Sequence, residues 1–192
     1  MEPNKPASRF VAPGLTILAA LLRLAPHPSN FTPIEGMALF GGARLAGWQA
    51  WAIPLAAMAI TDPIVSWMAG YSAYSTMTPI VYACLAINVF LGRALLRNSQ
   101  SFLRIGSVSL LASTIFFVVT NFFTWVGIPV VLYPHTSAGL LECFVAALPF
   151  FSRTLAGNLV YAGVLFGVHA ALTHYSDDRV VAPVKLAADK RG

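Results

Sequence analysis

The sequence predicts an all-α integral membrane protein with six transmembrane helices, and three observations carry that prediction. Of the 192 residues, 57% are hydrophobic and only 10% charged, with a mean hydropathy of +0.72. A soluble domain carries about 25% charged residues, so this chain lacks the charge to coat a water-facing surface. Apolar segments approaching or reaching bilayer-crossing length recur along the chain. The basic residues sit in alternate connections, as the positive-inside rule asks of a multi-pass chain.

The elements follow in order. The start, MEPNKPASRF, is polar, contains two prolines and lacks the Ala-x-Ala-like site of a cleavable signal peptide, so it reads as a short cytoplasmic tail. The first span runs from Phe10 to Ala25. The second, Pro33 to Leu45, is short and rich in small residues (Gly36, Ala38, Gly41, Gly42, Ala43), a composition that suits close helix packing. The third runs from Trp48 to Ala69, the fourth from Pro79 to Leu96, the fifth from Ile105 to Val126 and the sixth from Leu155 to His174. The apolar stretch Ala138 to Phe151 is too short for a span and reads as an extra helix in the outer loop before the last one. Residues 1–175 form one transmembrane domain. Residues 176–192, with Asp177, Asp178, Arg179, Lys185, Asp189, Lys190 and Arg191, form a loosely ordered cytoplasmic tail.

With the N-terminus inside, the inner segments hold every one of the 12 Lys and Arg residues except Arg23 and Arg153. Counting Ala138 to Phe151 as a seventh span would move the basic tail outside, so six spans fit better. The same bias accounts for the net charge of +5 without a nucleic-acid partner. Trp48, Trp51, Trp67 and Trp125 fall near span ends, where an aromatic belt belongs.

Ionisable groups inside a bilayer are costly unless they pair or face a cavity, which makes each one a functional candidate. The topology puts His27, Glu35, Asp62, Cys84, Asn88, Asn121, Glu142 and Arg153 in the outer half, the pattern of a cavity open to the outside. Plainer readings stand beside this one. Asp62 also fits a structural ion pair with Arg153 or Arg23. His27, between Pro26 and Pro28, also fits a helix cap, and Cys84 in YACLAINVF an inert buried thiol. Cys84 lies about 8 Å below the start of its helix at 1.5 Å per residue. Tyr82 stands about 200° round the helix from it, whereas Asn88 shares its face. Cys84 and Cys143 form no CxxC or zinc spacing, and nothing requires a disulfide between them. No Walker loop, HExxH, GxSxG or dinucleotide fingerprint occurs, so the chain is not itself an ATPase and has no nicotinamide site.

PHPSNFTPIEGMALFGGA (26–43), FFVVTNFFTWVG (116–127), YPHTSAGLLECFVAALPFF (133–151) and TLAGNLVYAGVLFG (154–167) resemble a bacterial family of small membrane transporters. That family in turn resembles the vitamin-binding S-components of energy-coupling-factor transporters. The chain looks most like the solitary, BtuM-type cobalamin transporters. The resemblance implies a six-helix bundle in the bacterial inner membrane with both termini cytoplasmic. It also implies a vitamin B12 molecule in an outward-facing pocket, with Cys84 as ligand to the cobalt and as the group that assists decyanation of cyanocobalamin. A thiolate is a soft donor that suits such a centre. By position, His27, Asp62, Asn88, Arg153 and Tyr82 would complete the substrate-binding set.

Coupled S-components often carry an Ala-x-x-x-Ala face on the first helix for docking to the energising ATPase. Here that register reads Ala12, Thr16, Ala20. The departure favours a protein that acts alone. Two other classes stay open: a membrane enzyme that processes a corrinoid, and a carrier of another vitamin or of a metal ion.

Overall fold

A computed structural model describes residues 8–26, 28–127 and 131–189, with side chains between Phe10 and His174. The described residues form six helices and no strand. They are α1 (Ser8–Leu22), α2 (Ile34–Arg44), α3 (Gln49–Ala69), α4 (Thr78–Leu91, prolonged by a π-helical turn over Gly92–Leu96), α5 (Phe102–Val126) and α6 (Ser137–Asp189).

Local chemistry sets the boundaries. Pro33 is the N-cap of α2 and Pro79 falls in the first turn of α4, where a missing amide donor costs nothing. Gly70 and Gly127 end α3 and α5 in the left-handed conformation, at φ 76° and 96°, which a Cβ would strain. Ser101 opens α5 by accepting the Arg104 amide.

The core is built round α2, which touches all five other helices. Every residue from Glu35 to Ala43 is buried. At 11 residues, α2 is roughly 16 Å long against a hydrocarbon layer of about 30 Å. Where the sequence suggested the second of six spans, the structure has a short helix that runs between the two ends of the bundle, enclosed by the others. Leu39, Phe40, Leu96, Ile105 and Phe166 pack in the core, with Phe40 edge-on to Phe166 at 5.3 Å. Two glycines let backbones meet. A Cβ on Gly42 would strike the Val89 carbonyl, and one on Gly92 would strike the Leu39 carbonyl. The α2–α4 contact is thus reciprocal, and small residues permit it.

The outward faces are apolar too: Ile60, Trp67, Phe90, Leu103, Leu110 and Val164 are exposed. Gln49–Ala69, Thr78–Leu96, Phe102–Val126 and Ser137–His174 are long and apolar enough to cross a membrane, and the apolar part of α1, Phe10–Leu22, is shorter. Surfaces of this kind suit lipid, and the protein is membrane-embedded.

Two further expectations change. The extra helix over 138–151 and the last span are one continuous helix. Nothing between Phe151 and Leu155 breaks it, since Ser152 and Thr154 turn their hydroxyls back onto the carbonyls of Pro149 and Phe150 and leave the backbone helical. Residues 176–189 are also helical in backbone, where a loose tail was expected; the run KLAAD (185–189) holds strong helix formers.

At one end of the bundle, Arg44 donates to the carbonyls of Leu96, Arg97 and Ser99 and lies 4.7 Å from the Phe166 ring centroid. It thereby ties together carbonyls at and just beyond the end of the π-helical turn, of which Leu96 O also accepts from the Ser99 amide. The connections at 23–33 and 70–77 lie at the other end, where the cavities are.

Candidate functional site

Three cavities adjoin at that end. The largest, about 410 Å³, is walled by Arg23, Met58, Asp62, Tyr71, Val81 and Tyr82, among others. A second, about 220 Å³, reaches Glu35 and shares Arg23, Met58 and Val81 with the first. A third, about 170 Å³, has an aromatic wall of Phe116, Phe117, Phe150 and Phe151 and shares Asn30, Phe116 and Thr154 with the second. They adjoin through these shared wall residues and form a recessed region that is charged at one side and aromatic at the other.

The charged side is a built network. Arg23, one residue past α1, meets Asp62 of α3 at 2.5 Å. The other guanidinium nitrogen donates to Thr61 Oγ1 at 2.8 Å and to Met58 Sδ at 3.2 Å. The Tyr82 hydroxyl donates to the second Asp62 oxygen at 2.9 Å. Arg23 and Asp62 side chains are each 11% exposed. Removing two charges from water is costly, and fixed hydrogen bonds offset part of that cost.

Glu35 is the second feature. It lies in the first turn of α2, where the helix dipole favours negative charge. Its Oε2 accepts from Ser113 Oγ and from Asn158 Nδ2. Asn158 Nδ2 also reaches Ser109 O and Ser113 Oγ, so α2, α5 and α6 are tied at one point. Glu35 Oε1, Asn158 Oδ1 and Ser109 Oγ are buried with no partner.

The sequence-derived site residues divide. Asp62 and Tyr82 line the largest cavity, and of the two partners open to Asp62, the structure selects Arg23. Cys84 is 1% exposed and lines none of the three cavities; it lies within electrostatic range of Glu35, inside the bundle. The half-turn between Tyr82 and Cys84 explains the difference: one faces the cavity, the other the core. Asn88 is equally buried, and both ends of its amide lack a partner. Arg153 is exposed and outside all three cavities, because the neighbouring position, Thr154, takes the inward face of α6. His27 lies outside the described residues. Glu142 is exposed, and His135 packs on Trp125 at 5.5 Å. Both cysteines are free thiols. The small face of α1 is internal: Ala12, Thr16 and Ala20 are all buried.

Sequence reasoning passed over Ser109 and Ser113. Their spacing of four in an apolar run puts two hydroxyls on one helix face, and that was the available signal. Phe116 and Phe117, which the sequence reading did not single out as site residues, both line the third cavity. Among the described residues, no three His, Cys, Asp or Glu side chains are grouped to hold a metal ion.

The model of a family of unknown function, DUF6580, matches residues 4–180, and the chain belongs to that family. No curated protein and no solved structure matches it.

Proposed function

We propose that this member of the DUF6580 family is a membrane transporter, or the substrate-binding component of one, for a vitamin-sized organic solute held in the recess beside Arg23, Asp62 and Tyr82. The observation that carries the reading is the Arg23–Asp62–Tyr82 network in the wall of the largest cavity. A carboxylate, a guanidinium and a phenol give a solute both donors and acceptors at one place. Recesses with a few convergent polar groups on apolar walls are where small molecules bind.

Cobalamin is the substrate to which the sequence resemblance points, with Cys84 as cobalt ligand and decyanation as its chemical consequence. On this reading α4 and the 70–77 connection rearrange so that the corrin reaches Cys84. The basic bias of one set of connections orients the recess outward, with both termini in the cytoplasm of a bacterial cell. The buried face of α1 favours a protein that works without an ATPase partner.

A second reading, a smaller vitamin, is favoured by the burial of Cys84 and by its absence from the cavity walls. Titration of the purified protein with cyanocobalamin separates the two. Under the cobalamin reading, wild type turns pink and its cobalt spectrum changes in Cys84→Ala. A wild type that is colourless once free cobalamin has been removed by gel filtration removes the cobalamin reading and leaves the smaller solute.

A further inference from the structure

We propose that Glu35, Asn158 and Ser109 form a site for one small monovalent cation, a sodium ion or a proton, set beneath the solute recess. The inference holds whatever solute the recess takes.

Charge is the starting point. Glu35 is buried in an apolar bundle, and among the described residues it makes no ion pair. The cation facing the same cavity, Arg23, is committed to Asp62. Among the described residues, Cys84 of α4 also lies within electrostatic range of Glu35, and α5 and α6 contribute neutral serine and asparagine. A lone carboxylate in such a medium is strongly disfavoured, so it takes up a proton or a metal cation.

The oxygen atoms make the second, independent observation. Glu35 Oε2 is saturated by Ser113 and Asn158. Glu35 Oε1, Asn158 Oδ1 and Ser109 Oγ have no partner at all, although Asn158 and Ser109 are 0% exposed. Buried polar atoms are nearly always satisfied, so three in one hydrogen-bonded cluster call for a ligand. A carboxylate, an amide carbonyl and a hydroxyl are hard oxygen donors, and their sum of one negative charge matches a monovalent cation. Glu35 also lines the second cavity, which gives the ion a route from the recess. Cation release and solute release would then be coupled through that shared space, a means of driving transport without ATP.

The test uses the full chain in lipid nanodiscs in a sodium-free choline buffer, with no solute present. Sodium chloride replaces choline chloride at constant ionic strength while the melting temperature and the infrared band of a protonated carboxyl are followed. The pH is then varied without sodium. If sodium is the ion, it raises the melting temperature saturably and abolishes the carboxyl band. Glu35→Gln loses both responses, and Ser109→Ala, which breaks no hydrogen bond of its side chain, weakens them several-fold. If the proton is the ion, the band comes and goes with pH and is absent in Glu35→Gln. A carboxyl band in wild type that ignores both sodium and pH makes Glu35 a permanently neutral structural group and overturns the proposal, whether or not the variants fold.

Discussion

Replacing Gly42 with alanine should loosen the protein from its centre. A Cβ there would sit 2.8 Å from the Val89 carbonyl carbon and 3.0 Å from its Cα, and nearer still to the oxygen. Ordinary contact begins at 3.4 Å, and α2 has no free side toward which to retreat. The helices must part by roughly 1 Å, enough to forfeit a quarter to a half of each dispersion contact across the seam. Overpacking of this kind costs about 1–3 kcal/mol, and backbone on both sides puts Gly42→Ala near 3. That is roughly a hundredfold in the folding constant. Equilibrium unfolding in mixed micelles reads it directly. Gly92→Ala should cost a similar amount, since its Cβ meets the Leu39 backbone across the same seam. The double variant should cost clearly less than the sum, because one separation relieves both clashes. Gly163→Ala is the control: nothing lies within 4 Å of its Cβ, so alanine should be neutral or stabilise by roughly 0.4–1 kcal/mol. Equal effects at Gly42 and Gly163, or strict additivity of Gly42 and Gly92, would refute the reciprocal contact.

Arg44→Lys should lower stability by roughly 1.5–3 kcal/mol in thermal unfolding, because an ammonium cannot fork to three carbonyls while stacking on Phe166. Asp62→Asn should also destabilise, by up to roughly 3–5 kcal/mol for a fully buried pair and less here because both partners line a cavity. Stability should return in the paired change Arg23→Met with Asp62→Leu, while solute binding stays lost; micelle unfolding and ligand titration on the same samples check both halves. Cys84→Ala should cost about 1 kcal/mol, since it truncates a small side chain in a closed core.

Much of the architecture was legible because hydrophobic length and chain breakers are local signals. Pro33, Gly70 and Gly127 mark helix ends that the composition already suggested. The opposite faces of Tyr82 and Cys84 followed from helical spacing alone. The continuity of α6 did not, because Phe151–Ser152–Arg153 is compatible with either a turn or a helix, and only packing decides. Arg153 and Thr154 differ by one position, about 100° of helix, so a depth argument could not say which faced the recess. The Glu35 cluster joins side chains 78 and 123 positions apart. No periodicity reports such a contact, and α2's enclosure by the other helices is equally a tertiary fact.

The most direct test of the solute site is a ligand-induced stabilisation measurement on the purified protein in nanodiscs, with cyanocobalamin first and smaller vitamins after it. Binding to the folded state alone raises stability by about 2.7 kcal/mol at a hundredfold excess over Kd. The expected result is a saturable shift for one solute that falls at least tenfold in affinity in both Asp62→Asn and Tyr82→Phe. A shift that is the same in wild type and both variants, or no shift with any solute, would contradict a binding site at Arg23, Asp62 and Tyr82.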